Sequence, residues 1–281
     1  MFTRARRRPP QPPTMTAMNL NLHVSARADR AAGVPSNSLR TRISRLYELA
    51  ENADHLFGSP LGPVDRESRE QYLPRFVYFG PQTSAVSPRL AVFAGLGRHD
   101  LPAARAVTAF LEGLARRSDI GHALNLSFFP VVNVPALLGH AEESDFTEEN
   151  WSRSTEPEIA LLAEDARLRA YQGFIRVVTT ADDEPSARLV TVLSPFIARS
   201  EIEVFDSRDF GSWPVTFEAL PSSALAHGPL SLADDLPFAP FEVELALPAE
   251  WPQARADAEL SALLKRLITR YRSFLAYGQN L

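Results

Sequence analysis

The 281-residue chain contains no cysteine. That single absence removes disulfides, thiolate nucleophiles and cysteine-bound zinc together, and it fits a cytoplasmic protein. No apolar run reaches the roughly 18–20 residues that span a bilayer, so no membrane partner is expected. There is no P-loop, and "GLG" at Gly95–Gly97 is too short for a dinucleotide fingerprint. The six histidines show no His-x-x-x-His spacing, and Ser194, Ser222 and Ser223 lack the Gly-x-Ser-x-Gly setting of an activated serine. Nor does either sign of charge dominate, with 29 Lys and Arg against 34 Asp and Glu. A net charge of -5 gives no basic face for nucleic acid, so no nucleic-acid partner is expected.

What is present reads as an α/β protein. Hydrophobic residues make up 45% and charged residues 22% of the chain, enough to bury one substantial core. Residues 1–38, opening "MFTRARRRPPQPPTMTAMNL", are basic and Pro-rich and read as an unstructured tail. Residues 39–281 read as a single domain. Leu39, Ile43, Leu46, Tyr47 and Ala50 stand at helical spacing, and a Gly/Pro-rich loop follows.

"RFVYFG" (Arg75–Gly80) and "RLAVFAG" (Arg89–Gly95) read as adjacent strands. Leu101–Arg117 is predicted as a helix, and "ALNLSFFPVVN" as a third strand. A further helix is expected from Thr155, with Thr155 and Glu158 forming a capping box over a stripe of Ile159, Leu162 and Ala166. "GFIRVVTT" is a fourth strand, Ala187–Leu193 and Glu201–Phe205 are β-rich, and "FEVELAL" is a late strand. A long helix from about Gln253 to Ala276 closes the chain. Strands alternating with helices predict a doubly wound, mostly parallel sheet with helices on both faces.

Taken in order, several of these segments resemble the zinc carboxypeptidase family in the broad sense, which embraces carboxypeptidase A-like enzymes and the succinylglutamate desuccinylase and aspartoacylase branch. "FAGLGRHDLPAARAV" stands where that family has a Gly-His-Gly-Asp-Glu-Pro type turn. "FFPVVNVPALL" matches a Pro-x-x-Asn-Pro strand end through Pro130 and Asn133, and "STEPEIALLAEDARL" matches a helix opening on Pro-Glu. "FIRVVTTADDEP" occupies the strand that ends in a Leu-His pair, and "PFEVELALPAEWP" places Glu244 at the position of the general base. The resemblance covers roughly Arg75 to Phe274.

In that family two His and one Glu hold a zinc ion that activates water for amide hydrolysis, and a Glu moves the proton. Carried over residue by residue, the ligand positions fall on Gly97, Asp100 and Thr180 (Thr179 in the neighbouring register). Glycine has no ligating side chain, and a neutral threonine hydroxyl is a poor zinc ligand. The Asp-Leu-Asn-Arg substrate segment is matched only by "SDFTEENWSRS", where Asp145 aligns, Glu148 reverses the charge of the Arg, and Arg153 lies a few residues on. Asn133, Asp145 and Arg153 are the candidate substrate-binding residues.

Two expectations follow from the resemblance. The first is a non-catalytic member with a degenerate zinc site and no cofactor, binding a small peptide, an acylated amino acid or another protein. Glu244 is then a relic, placed with Glu242 on the polar face of an alternating strand. The second is an active carboxypeptidase or N-acyl amino-acid amidohydrolase with a relocated metal site built from His99, Asp100 and Asp182. It requires those side chains and Glu244 to converge, and it fails if His99 points to solvent.

Overall fold

The computed structural model describes residues 38–64, 71–84, 87–117, 120–138, 156–193, 204–221 and 241–278. In chain order the elements are α1 (Leu39–Glu51), β1 (Leu56–Gly58), β2 (Phe76–Phe79), β3 (Arg89–Ala94), α2 (Leu101–Arg116), β4 (Asn125–Phe129) and the short α3 (Val134–Leu138). Then come α4 (Pro157–Arg169), β5 (Gly173–Thr180), β6 (Ser186–Leu193), β7 (Val215–Pro221), β8 (Phe241–Pro248) and α5 (Gln253–Gly278). Among the described residues no helix is long and apolar enough to cross a membrane.

The eight strands form one sheet in the order β1-β2-β4-β3-β5-β8-β6-β7. Its centre, β4-β3-β5-β8, is parallel, while β2 on β4 and β6 on β8 are antiparallel. The expected doubly wound α/β architecture is therefore present.

Pairing settles which residues face which way. One row across the sheet runs Phe76, Phe128, Val92, Ile175, Val243, Leu189, apolar throughout and fully buried. Three helices cover this face. Tyr47 of α1 packs on Phe76, Phe110 of α2 on Phe128, and Tyr271 of α5 on Phe241. In α5 the side chains of Ala256, Leu260, Leu263, Leu264, Leu267 and Tyr271 recur at the three- and four-residue spacing of a helix that buries one stripe. The opposite face carries Phe93, Phe129 and Phe174, with Tyr171, just after α4, edge-on to Phe174.

Four details differ from the sequence-based expectations. β2 and β3 are not neighbours, because β4 lies between them. The crossover through α2 returns the chain on the outer side of β3, and β2 then pairs with the returning strand. Gly80 permits this arrangement, since a Cβ there would sit 1.7 Å from the Gly121 carbonyl oxygen. At the start of α4 the N-cap is Glu156, with no side-chain capping hydrogen bond, and Pro157 opens the helix; Thr155, expected to cap it, lies outside the described residues. Of the β-rich run 201–205, the described part, Val204 and Phe205, is not strand and leads into a one-turn helix, Ser207–Phe210. Two strands are additional, β1 with only three residues and β7 at the far edge. β1 is too short to show an alternation, whereas β7 does alternate, Val215, Phe217 and Ala219 against Thr216 and Glu218, a signal the sequence-based expectations passed over.

Candidate functional site

In open α/β sheets ligands bind beyond the carboxyl ends of the strands. Here that edge is built from the β3–α2 turn, the end of β4, and the ends of β5 and β8. The turn begins at Gly95, whose φ of +68 favours glycine, and whose carbonyl accepts the Val132 and Asn133 amides. It ends at Asp100, whose carbonyl receives the Ala104 amide and so starts α2, with Pro102 in the first turn.

The Asp100 carboxylate is 7% exposed and turned inward. Its Oδ2 accepts the amides of Leu96 and Gly97, each at 3.0 Å, and its Oδ1 accepts the Thr179 amide at 2.7 Å. Both oxygens are thus engaged by backbone N–H groups, and the positive end of α2 adds to their stabilisation of the charge. Asp100 is a bracket between the turn and β5.

Asn133 does similar work one strand away. It is fully buried, donates Nδ2 to the Leu96 carbonyl at 3.3 Å, and accepts the Ala136 amide on Oδ1 at 3.1 Å, capping α3.

The other candidate residues are dispersed. His99 is exposed, and its Nε2 accepts from Arg98 Nε at 3.1 Å. Asp182 is exposed in the turn after β5, where it accepts from Thr180 Oγ1 at 3.0 Å. Glu244 sits mid-strand opposite Arg176, while the edge of the sheet is marked by the pair Thr180 and Pro248. Four residue positions separate the two levels, about 13 Å along a parallel strand. Arg176 ion-pairs with Glu244 and, at 3.5 Å, with Glu242, confirming that the two glutamates share a face. The convergence of His99, Asp100, Asp182 and Glu244 does not occur. Asp145 and Arg153 lie outside the described residues.

The family's zinc site can be tested against this edge. Gly97 offers no side chain, Asp100 has both oxygens on backbone amides, and Thr180 bonds to Asp182. Among the described residues no three His, Asp or Glu side chains are grouped to hold a metal ion. These residues do not fit a zinc centre with three protein ligands.

A second polar cluster, not anticipated from the sequence, lies on the α4 face at the opposite edge. Asp165 of α4 is 5% exposed and accepts from Arg75, from Arg169 Nε at 3.2 Å and from the Tyr171 hydroxyl at 2.7 Å. Arg75 completes its bonding with the Ser59 carbonyl at 2.8 Å and the Ser59 hydroxyl at 2.5 Å. Burial pulls the Arg75 guanidinium below its ordinary value, against the opposing pull of Asp165. Burial, reinforced by Asp165, pushes the Tyr171 phenol above its ordinary value. The available signal was an aspartate between Leu162 and Ala166 on an otherwise apolar stripe.

These features define a mixed, mostly parallel α/β protein with the zinc-carboxypeptidase fold. Solved structures place the likeness concretely. A metallo-carboxypeptidase from Burkholderia cenocepacia superposes with a TM-score of 0.58 at 13% identity, over 82% of this chain and 68% of that one. A metallo-carboxypeptidase from Pseudomonas aeruginosa, in complex with (2-guanidinoethylmercapto)succinic acid, gives 0.56 at 14% identity over 82% and 68%. Bovine thrombin-activatable fibrinolysis inhibitor, in complex with tick carboxypeptidase inhibitor, gives 0.55 at 11% identity over 84% and 97%. At the level of sequence, no protein-family model and no curated protein matches the chain. At these identities the likeness is one of fold, and function has to be argued from the site.

Proposed function

We propose that this chain is a non-catalytic protein of the zinc-carboxypeptidase fold, retained as a binding or regulatory scaffold. The observation that carries the reading is the engagement of Asp100. The one carboxylate at a ligand position is held by three backbone amides, and freeing it for a metal would release the turn from β5. Glu244 is ion-paired with Arg176 four residue positions below the edge, a placement that suits a structural role. The ligand class in keeping with the fold is a small peptide or an acylated amino acid, approached from the carboxyl edge of the sheet, with Arg153 and Asp145 as its candidate contacts.

The test is elemental analysis of the full chain after exposure to excess zinc and removal of free ion, together with hydrolysis of short peptides and N-acyl amino acids. The expected outcome is substoichiometric metal and no hydrolysis above background. One zinc per chain, lost in Asp100→Ala or His99→Ala and accompanied by hydrolysis, overturns the reading in favour of a rebuilt site.

A further inference from the structure

The edge of the sheet opposite the family's zinc turn carries a cleft of about 510 Å³, between α4 and the amino ends of β3 and β4. That volume lies within the range of small-molecule pockets, about 300–1,000 Å³. Its lining is of two kinds. Leu61, Phe79, Leu161 and Leu168 form an apolar wall, of which Leu168 is 73% and Phe79 38% exposed. Phe57, itself 45% exposed, stacks edge-on against Phe79 and extends the apolar surface. A contiguous exposed apolar patch rimmed by polar residues is one of the surface features associated with ligand-binding grooves.

The polar lining has unused bonding capacity in specific places. Three arginines, Arg75, Arg89 and Arg169, face two acids, Glu164 and Asp165, leaving the cleft one positive charge in excess. Arg75 and Asp165 satisfy one another, and Arg89 donates to the Arg169 carbonyl at 2.6 Å. Among the described residues Arg169 bonds through Nε alone, on Asp165, which leaves the planar fork of its two terminal nitrogens on a side chain that lines the cleft and is 30% exposed. Such a fork matches a carboxylate. Beside it, the side-chain oxygen of Asn125 is fully buried and has no hydrogen-bond partner. A buried acceptor left unpaired is costly, and a donor on a ligand would satisfy it. Glu164, exposed on α4, adds a carboxylate on the same rim.

We infer that this cleft is a binding site for small apolar acids that carry a hydrogen-bond donor next to the carboxylate, the pattern shared by apolar α-amino acids and 2-hydroxy acids. The carboxylate takes the Arg169 fork, the neighbouring ammonium or hydroxyl donates to Asn125, and the apolar side chain lies on Phe79, Leu161 and Leu168. The site is separate from the carboxyl edge and independent of whether any metal binds there.

The full chain is titrated, without added metal, with L-phenylalanine, L-phenyllactate, 3-phenylpropionate and 2-phenylethylamine, following backbone amide shifts near residues 125, 161 and 169. The expected result is saturable binding of at least one of the first two, and which one binds distinguishes an amino-acid site from a hydroxy-acid site. 3-Phenylpropionate, lacking the donor, should bind about tenfold more weakly, and 2-phenylethylamine should not saturate. Arg169→Gln should weaken binding about tenfold, and Leu168→Ser, at an exposed position that cannot disturb the core, several-fold. The inference is overturned if neither acid saturates, if the amine binds as well as the acids, or if affinity is unchanged in Arg169→Gln or in Leu168→Ser.

Discussion

Asp100, at the head of α2, and Thr179, next to the end of β5, are 79 residues apart and joined by a 2.7 Å hydrogen bond from the Thr179 amide to Asp100 Oδ1. The same carboxylate holds Leu96 and Gly97, so one side chain closes the turn and ties it to a neighbouring strand. It stands where the resemblance to the zinc carboxypeptidases leads one to expect a metal ligand, and in this structure it holds the backbone.

Asp100→Ala should therefore destabilise the protein by about 3 kcal/mol or more, since three amides lose a charged acceptor in a buried setting. Asp100→Asn should recover part of the loss, because its oxygen still accepts while its NH2 meets an N–H. Denaturant midpoints of the three proteins check this. Unchanged stability in the alanine variant would sink the bracket.

The Arg75–Asp165 pair invites a double-mutant cycle. Removing Asp165 alone leaves the Arg75 charge and the Tyr171 hydroxyl buried without their acceptor, at a cost of about 3–5 kcal/mol. Replacing both, as Arg75→Met with Asp165→Leu, should cost less than the sum of the single changes, and the size of that coupling measures the network. Additive losses would show that the two side chains act separately.

Three buried phenols set an alkaline limit. Burial raises Tyr47, Tyr171 and Tyr271 above the ordinary tyrosine value, so the folded state holds these protons more tightly than the unfolded chain does. Their contribution to stability is complete below the unfolded value of about 10 and falls as the pH rises above it. Phenolate absorbance should show these three tyrosines ionising only together with loss of the folded circular-dichroism signal. Reversible ionisation of all six tyrosines in the folded protein at pH 10–11 would contradict it.

Glu244→Gln separates the ion-pair role from a catalytic one. The glutamate side chain is 26% exposed and paired with Arg176, which Glu242 also neutralises, so the substitution should cost about 1 kcal/mol and leave ligand binding at the carboxyl edge unaltered. Urea denaturation and a peptide-binding titration measure the two quantities. Loss of a measurable hydrolytic activity in this variant would restore Glu244 to the chemistry.

Gly95→Ala should lower stability by about 1–3 kcal/mol, because a residue with a Cβ is disfavoured at φ +68 and would meet Leu137 Cδ1 at 2.8 Å. Thermal melts should show it. The GLG sequence thus serves backbone geometry, in keeping with its being too short for nucleotide binding.

Much of the fold was legible because it is local. The stripe of α5, the apolar run of β3 and the helix after Pro102 follow from spacing that depends only on neighbours along the chain. The resemblance drawn from five short segments in order likewise described the architecture found. The misplacements involve partners distant in sequence. No local pattern states that β4 separates β2 from β3, since that depends on which side of β3 the crossover returns. The absence of zinc ligands at Gly97 and Thr180 was readable from residue type alone, but the engagement of Asp100 was not, because a carboxylate looks the same whether it faces a metal or three amides. Nor could an alternating strand reveal that Glu244 lies four positions below the sheet edge with an arginine beside it, or that Arg75 and Asp165, 90 residues apart, meet beside an open cleft. The sequence by itself determined the elements and their order, through periodicity and side-chain type. The tertiary structure alone decided what each polar side chain touches, because burial and hydrogen bonding depend on chain segments that meet only on folding.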